Sequence, residues 1–255
     1  MTLSVRLKAA SRAAALHLLG SLIVGSAAAA MVFGVWYGFP YRELSGGREL
    51  FLLLVSVDVI CGPLLTMVLF NPAKPAGELW RDLSLVALIQ LAALGYGLHT
   101  VWEARPLFLV FNVDRFTVIA SPDLDQTALA GLSKALSPRW LSGPLTVAVR
   151  APRDEAERQN VMTQSVQGGR DYAERPDFYL PYEGAAALNA LQRAKPLSVF
   201  LQKQPGQQAA AQALALAAKA NLSQWLYLPV VARQDWVAVL DKQGLIQGFL
   251  KGDGF

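Results

Sequence analysis

Three long apolar runs, parted by short polar breaks, fill the first hundred positions, and a finer alternation of apolar and polar residues follows. The runs cover residues 13–37, 50–70 and 83–102. At about 1.5 Å rise per residue, roughly 20 residues cross the ~30 Å hydrocarbon layer, so each run has the length of a spanning helix. Trp36 and Tyr37 close the first run as interfacial aromatics. Asn71-Pro72 stops the second, and Arg81-Asp82 and Glu103-Ala104-Arg105-Pro106 bracket the third. The small residues at 26–30 imitate a signal-cleavage site. Apolar character continues through residues 31–36, however, so the first run is read as a retained helix.

Beyond residue 105 the pattern becomes that of an α+β domain with a mixed or mostly antiparallel sheet. β-rich runs stand at 107–113, 116–120, 145–150, 197–201, 225–231, 236–241 and 245–250. Helical signals stand at 123–136, behind Ser121-Pro122, at 153–166, which Gly168-Gly169 ends, at 185–193, and across the alanine-rich 205–221. Residues 170–185, rich in Tyr, Pro and charge, read as a surface loop. Lys242-Gln243-Gly244 joins the last two strands as a three-residue hairpin loop. The division expected is a membrane domain over 1–104 and a separate domain over 105–255. Only about four residues link Trp102 to the first strand, and at ~3.6 Å each they form a short leash. That leash is expected to keep the domain, and its Asp114-Arg115 pair, near the membrane.

Composition agrees: 53% of the residues are hydrophobic and only 16% charged, against about 25% charged in soluble domains. Mean hydropathy is +0.32. The net charge of +4 comes without any Lys/Arg block longer than a pair, so no nucleic-acid partner is expected despite a pI near 9.3. The lone Cys61 excludes an intrachain disulfide and a cysteine zinc site. Direction follows from the basic residues flanking the runs. Arg6, Lys8 and Arg12 share one side with Lys74 and Arg81, whereas the loop at 38–49 carries Arg42 and Arg48. The more basic side, with the N-terminus, is expected to be cytoplasmic, placing the last domain outside.

Chemistry-bearing residues are few. The domain after residue 105 has no histidine, and no HExxH, GxSxG, P-loop or dinucleotide fingerprint occurs. No enzyme and no cofactor are expected. His17 and His99 lie near opposite membrane faces and read as interfacial residues. Asp58 is the sharpest feature, because a carboxylate in mid-span costs about 2.5–3.5 kcal/mol on insertion scales. Two readings stand: an internal hydrogen bond to Ser56, Thr66 or Gln90, or contact with a partner's transmembrane helix. Ser26, Ala30, Gly34 and Gly38 make a small-residue ridge at spacing four. Packing within this chain's own bundle is the preferred reading of it, and docking of a partner helix the other. Gly62-Pro63 is expected to free a carbonyl one turn beyond Asp58. Arg48 and the Asp114-Arg115 pair complete the candidates for partner binding.

Four stretches, GGRELF at 46–51, DVICGPLLTMVLFNPAK at 58–74, QLAALGYGL at 90–98 and ARPLFLVFNVDRF at 104–116, resemble the type IV pilin accessory proteins (the TfpX/TfpZ group). The resemblance covers about residues 36–120. It implies a bacterial inner-membrane protein that supports the stability, processing or assembly of a cognate major type IV pilin without being a pilus subunit. The sequence agrees in lacking a short basic leader that ends in glycine before a phenylalanine. A membrane-anchored envelope sensor, and a structural subunit of a secretion or pilus machine, are the alternatives.

Overall fold

The computed structural model describes residues 3–255 and divides into two compact units, each with its own core. One comprises the chain up to residue 38 together with 46–103. The other comprises 39–45 together with 104–255. The chain therefore passes from one unit to the other three times, since a short stretch between the first two spans belongs to the domain rather than to the helices.

The first unit is a bundle of three helices long and apolar enough to cross a membrane, of 34, 23 and 28 residues. They are α1 (Leu3–Met31), prolonged by a π-helical turn at Val32–Trp36, then α3 (Gly47–Leu69) and α4 (Ala76–Glu103). Both α1 and α4 pack along α3. Lipid is as apolar as leucine, so close packing through small residues, rather than hydrophobicity, holds such helices together. Gly25 of α1 lets Val55 approach to where an added Cβ would stand 3.1 Å from it, and Gly97 of α4 receives Leu54 of α3. At one end the Tyr37 hydroxyl donates to the Val101 carbonyl (3.0 Å), and the Trp36 and Trp102 rings meet edge to face at 4.9 Å.

The domain is built on a mixed, mostly antiparallel sheet. Its strands are β1 (Pro106–Asn112), β2 (Arg115–Ala120), β3 (Leu145–Val149), β4 (Tyr179–Pro181), β5 (Lys195–Pro196), β6 (Leu226–Val231), β7 (Trp236–Leu240) and β8 (Ile246–Lys251). The order is β4-β3-β1-β2-β6-β7-β8, with β5 pairing the start of β6. Only β1–β3 and β2–β6 run parallel. Alternation sorts the strand side chains between two faces. Phe108 and Val110 turn to one layer with Ile119, Val147 and Tyr179, while Leu109 and Phe111 turn to the other with Phe116, Leu228 and Trp236. At the far end of the sheet Val237 and Val239 meet α8 (Leu197–Lys203) and α9 (Gln208–Ala217).

The second layer is closed by α7 (Ala185–Arg193) and by residues 39–45. The latter include α2, a single turn at Tyr41–Leu44. Leu44 is fully buried, and its carbonyl accepts the Arg233 amide at 3.0 Å. Tyr41 stands edge-on to Phe249 and Phe39 to Trp236. Burial drives the Tyr41 hydroxyl well above the ordinary phenol range.

Several expected elements differ. Residues 197–201 form a helix, not a strand. Leu197, Phe200 and Leu201 are buried while Ser198 and Val199 are exposed, a spacing of three and four that a strand cannot bury on one face. The helix expected at 123–136 shrinks to α5 (Gln126–Ala130), because the Asp125 carboxylate, not Ser121, accepts the first free amides, from Thr127 and Ala128. Residues 170–185 are not wholly loop: they include two 3₁₀ turns and β4. The helices at 185–193 and α6 (Glu155–Val166), and the hairpin at Gly244 with φ +79°, stand where the pattern put them.

Candidate functional site

The midpoints of the three spans bring polar side chains together. Asp58 stands at the middle of α3, Gln90 at the middle of α4, and Ser21 close to the middle of the first span. All three line one cavity of about 170 Å³, with Val24, Gly25 and Leu94 among its other walls. The Gln90 amide nitrogen donates to the Asp58 main-chain carbonyl at 3.0 Å. Gly62 permits that reach, since a side chain there would run into the Gln90 amide. The Gln90 carbonyl oxygen is buried without a hydrogen-bond partner. No hydrogen bond or ion pair reaches the Asp58 carboxyl among the described residues. Of the internal bonds considered for Asp58, Ser56 instead donates to the Leu53 carbonyl, and Thr66 pairs with His17 Nδ1 at 2.5 Å. His17 thus joins α1 to α3 rather than facing an interface.

The small-residue ridge lies elsewhere. Ser26, Ala30 and Gly34 are exposed, and side chains built at Gly34 or the half-buried Gly38 would meet nothing within 4 Å. The face of α1 turned to the bundle carries Gly25, Ala28 and Val32 instead. At 100° per residue the ridge points away from them, so the expectation that it packs within this chain's own bundle is corrected. For the same reason the ridge and Asp58 cannot touch one helix at once.

Arg48 is exposed in the first turn of α3. Asp114 and Arg115 form a half-exposed ion pair at 2.8 Å, with the Arg115 guanidinium 4.7 Å from the Phe255 ring centre. They occupy the β1–β2 turn, at the far end of a seven-residue strand from the point where α4 delivers the chain. An exposed pair of this kind contributes little to stability. Among the described residues no group of three His, Cys, Asp or Glu side chains is placed to hold a metal ion.

Sequence reasoning treated Gln90 only as a bond partner and passed over Ser21. A count along each apolar run would have found both, because each lies near the middle of its span. The role of residues 39–45 had no comparable signal. Phe39, Tyr41 and Leu44 are apolar, but their partners lie in strands far down the chain.

Comparison with known proteins adds the following. The family model for fimbrial assembly protein FimB matches residues 5–46. A fimbrial assembly protein of Dichelobacter nodosus, serogroup I, is 35% identical over 254 residues, 96% of each chain. Its serogroup E1 counterpart is 34% identical over the same share. A protein named for serogroups C1 and C2 is 41% identical over 115 residues, 45% of this chain and 88% of its own. No solved structure matches the chain.

Proposed function

The chain belongs to the fimbrial assembly protein family, and on that premise we propose that it is a non-enzymatic membrane factor in type IV pilus biogenesis, supporting the stability, processing or assembly of a cognate major pilin. The observation that carries this reading is the relationship to the serogroup I protein along 96% of both chains, which takes in the spans and the domain alike. The basic residues flanking the spans support an N-terminus in the cytoplasm and a periplasmic domain in the inner membrane. A factor of this build offers a pilin two surfaces: helices for a membrane segment and a folded domain for a head outside.

Asp58, with the groove around it, is the residue on which contact with the pilin's membrane helix is expected to turn. Ser26, Ala30, Gly34 and Gly38 offer a second, separate helix track. The Asp114-Arg115 turn and Arg48 are the polar candidates for contact outside the hydrocarbon layer. The deciding experiment is a crosslinked pull-down of the tagged full-length protein from its own membranes, with the co-eluting proteins identified. Enrichment of one major pilin supports the reading, and its absence from intact protein refutes it. Asp58→Leu is expected to leave the protein folded and lower the pilin recovered. Unchanged piliation in that variant would reduce Asp58 to a packing residue.

A further inference from the structure

Between α1 and α4 runs a groove whose floor is α3. Its middle is the 170 Å³ cavity lined by Ser21, Asp58 and Gln90. A second cavity of about 430 Å³ continues it past Ala87, which lines both, toward Leu16, Thr66 and the exposed Trp80. The Tyr37–Val101 hydrogen bond and the Trp36–Trp102 contact close the opposite end. From Ala13 to Gly25 the groove accompanies α1 for about 18 Å at 1.5 Å per residue, three turns of a neighbouring helix.

The groove is lined mostly by apolar side chains, but a lipid chain has no hydrogen-bond donor for the polar atoms at its middle. A buried carbonyl oxygen and a carboxyl both stand at mid-span without a donor. Hydrocarbon leaves such groups at a cost of several kcal/mol. What would satisfy them is a hydrogen-bond donor carried at mid-bilayer depth. A backbone at that depth must be helical, or part of a closed barrel, to satisfy its own amides. A second copy of this chain is poorly suited. Most exposed mid-span side chains of α3 and α4 are apolar, such as Val57, Ile60, Leu88 and Ile89; the exposed Ser56 hydroxyl already donates to the Leu53 carbonyl, the exposed Cys61 thiol is a weak donor, and Ser26 is the lone exposed hydroxyl of α1 near that depth.

We propose that this groove receives one transmembrane helix of a different chain, and that the helix brings a hydrogen-bond donor to Asp58 and Gln90. The inference rests on the assembly reading above only for which chain supplies the helix. The test places a photo-crosslinking amino acid at Leu16 or Leu91 on the groove walls, at Ile60 or Leu88 on the outer faces, and at the exposed Leu141 of the domain. The protein is kept full length in its own membranes.

Groove positions are expected to label one membrane-spanning partner several-fold more than the outer positions. Asp58→Leu combined with Gln90→Leu lowers that labelling about tenfold, the scale of a lost hydrogen bond or two between helices. Asp58→Asn, whose amide oxygen still accepts, retains most of it. Protease resistance of the outer domain is measured alongside and stays unchanged in all variants. Adducts to lipid alone, adducts to a second copy, equal labelling from the outer faces, or indifference to the double substitution each overturn the proposal. If a pilin is labelled from the outer domain but never from the groove, this inference fails and the assembly reading stands. If no pilin is labelled from any position, that reading falls as well.

Discussion

Leu44→Ala tests whether the short stretch between the first two spans is a structural part of the sheet domain. The side chain is 0% exposed and packs with Leu109, Phe116, Leu228 and Leu240. Truncating a buried leucine to alanine costs about 2.7–5 kcal/mol, the lost transfer energy plus the cavity left behind. Here the upper half of that range is expected, because Leu44 is wholly buried within a cluster of sheet side chains, which leaves little room for collapse. The Arg233 amide keeps its bond to the Leu44 carbonyl, so packing alone is removed. For a domain of this size, with a urea slope of about 2 kcal/mol/M, a loss of ~4 kcal/mol lowers the unfolding midpoint by about 2 M. The assay is pulse proteolysis of the full-length protein in detergent across a urea series, following the band of the sheet domain. Arg48→Ala, at an exposed position a few residues on, is the control and stays within about 0.5 kcal/mol of the parent. A Leu44→Ala midpoint within about 0.3 M of the parent would show that the stretch is an ordinary loop.

Three further outcomes are expected. Gly244→Ala must hold an alanine at φ +79° with its methyl against the Ala187 carbonyl, and thermal unfolding should report a loss of about 1–3 kcal/mol. The Glu157 carboxylate takes two 2.8 Å bonds from Arg150 and one from the Arg153 amide, which hold its pKa down to about 2 from the ordinary 4.5. Since the folded value is the lower one, its stabilisation is present above about pH 4.5 and is lost as the pH falls toward 2. Glu157→Gln should flatten the acid limb of a urea-midpoint series in that window. Gly62→Ala sets a methyl against the Gln90 amide. Labelling from Leu91 should then fall several-fold with the sheet domain's protease resistance intact.

Local signals carried most of the architecture. The three spans show in the unbroken runs, and β6, β7 and β8 in alternation ended by a glycine turn. The stretch 197–201 shows the limit of such signals, since Val199 and Phe200 are residue types that favour strands. The spacing of the buried positions, which only packing against Tyr227 and Val239 reveals, is helical. The same limit governed the site. Asp58 was visible because a charge in mid-span stands out in any apolar run. That Gln90 and Ser21 share its depth and face needs the pairing of helices, which a single run does not encode. The ridge on α1 shows the reverse: spacing four reports one face of a helix but not which neighbour that face meets.

The placement of residues 39–45 also orders the making of this protein. Phe39, Tyr41 and Leu44 leave the ribosome early, yet the rings and strands that cover them, Trp236, Leu240 and Phe249, arrive with the last stretch of the chain. Contacts so distant along the chain form late and slowly. Throughout synthesis the stretch waits uncovered, and a chain cut short before β7 never closes this layer of the sheet. Completion of the domain thus requires that β7 and β8 have been made and that both pieces stand on the same side of the membrane, so a chain in which one span failed to insert would present an unfinished core to the cell's proteases.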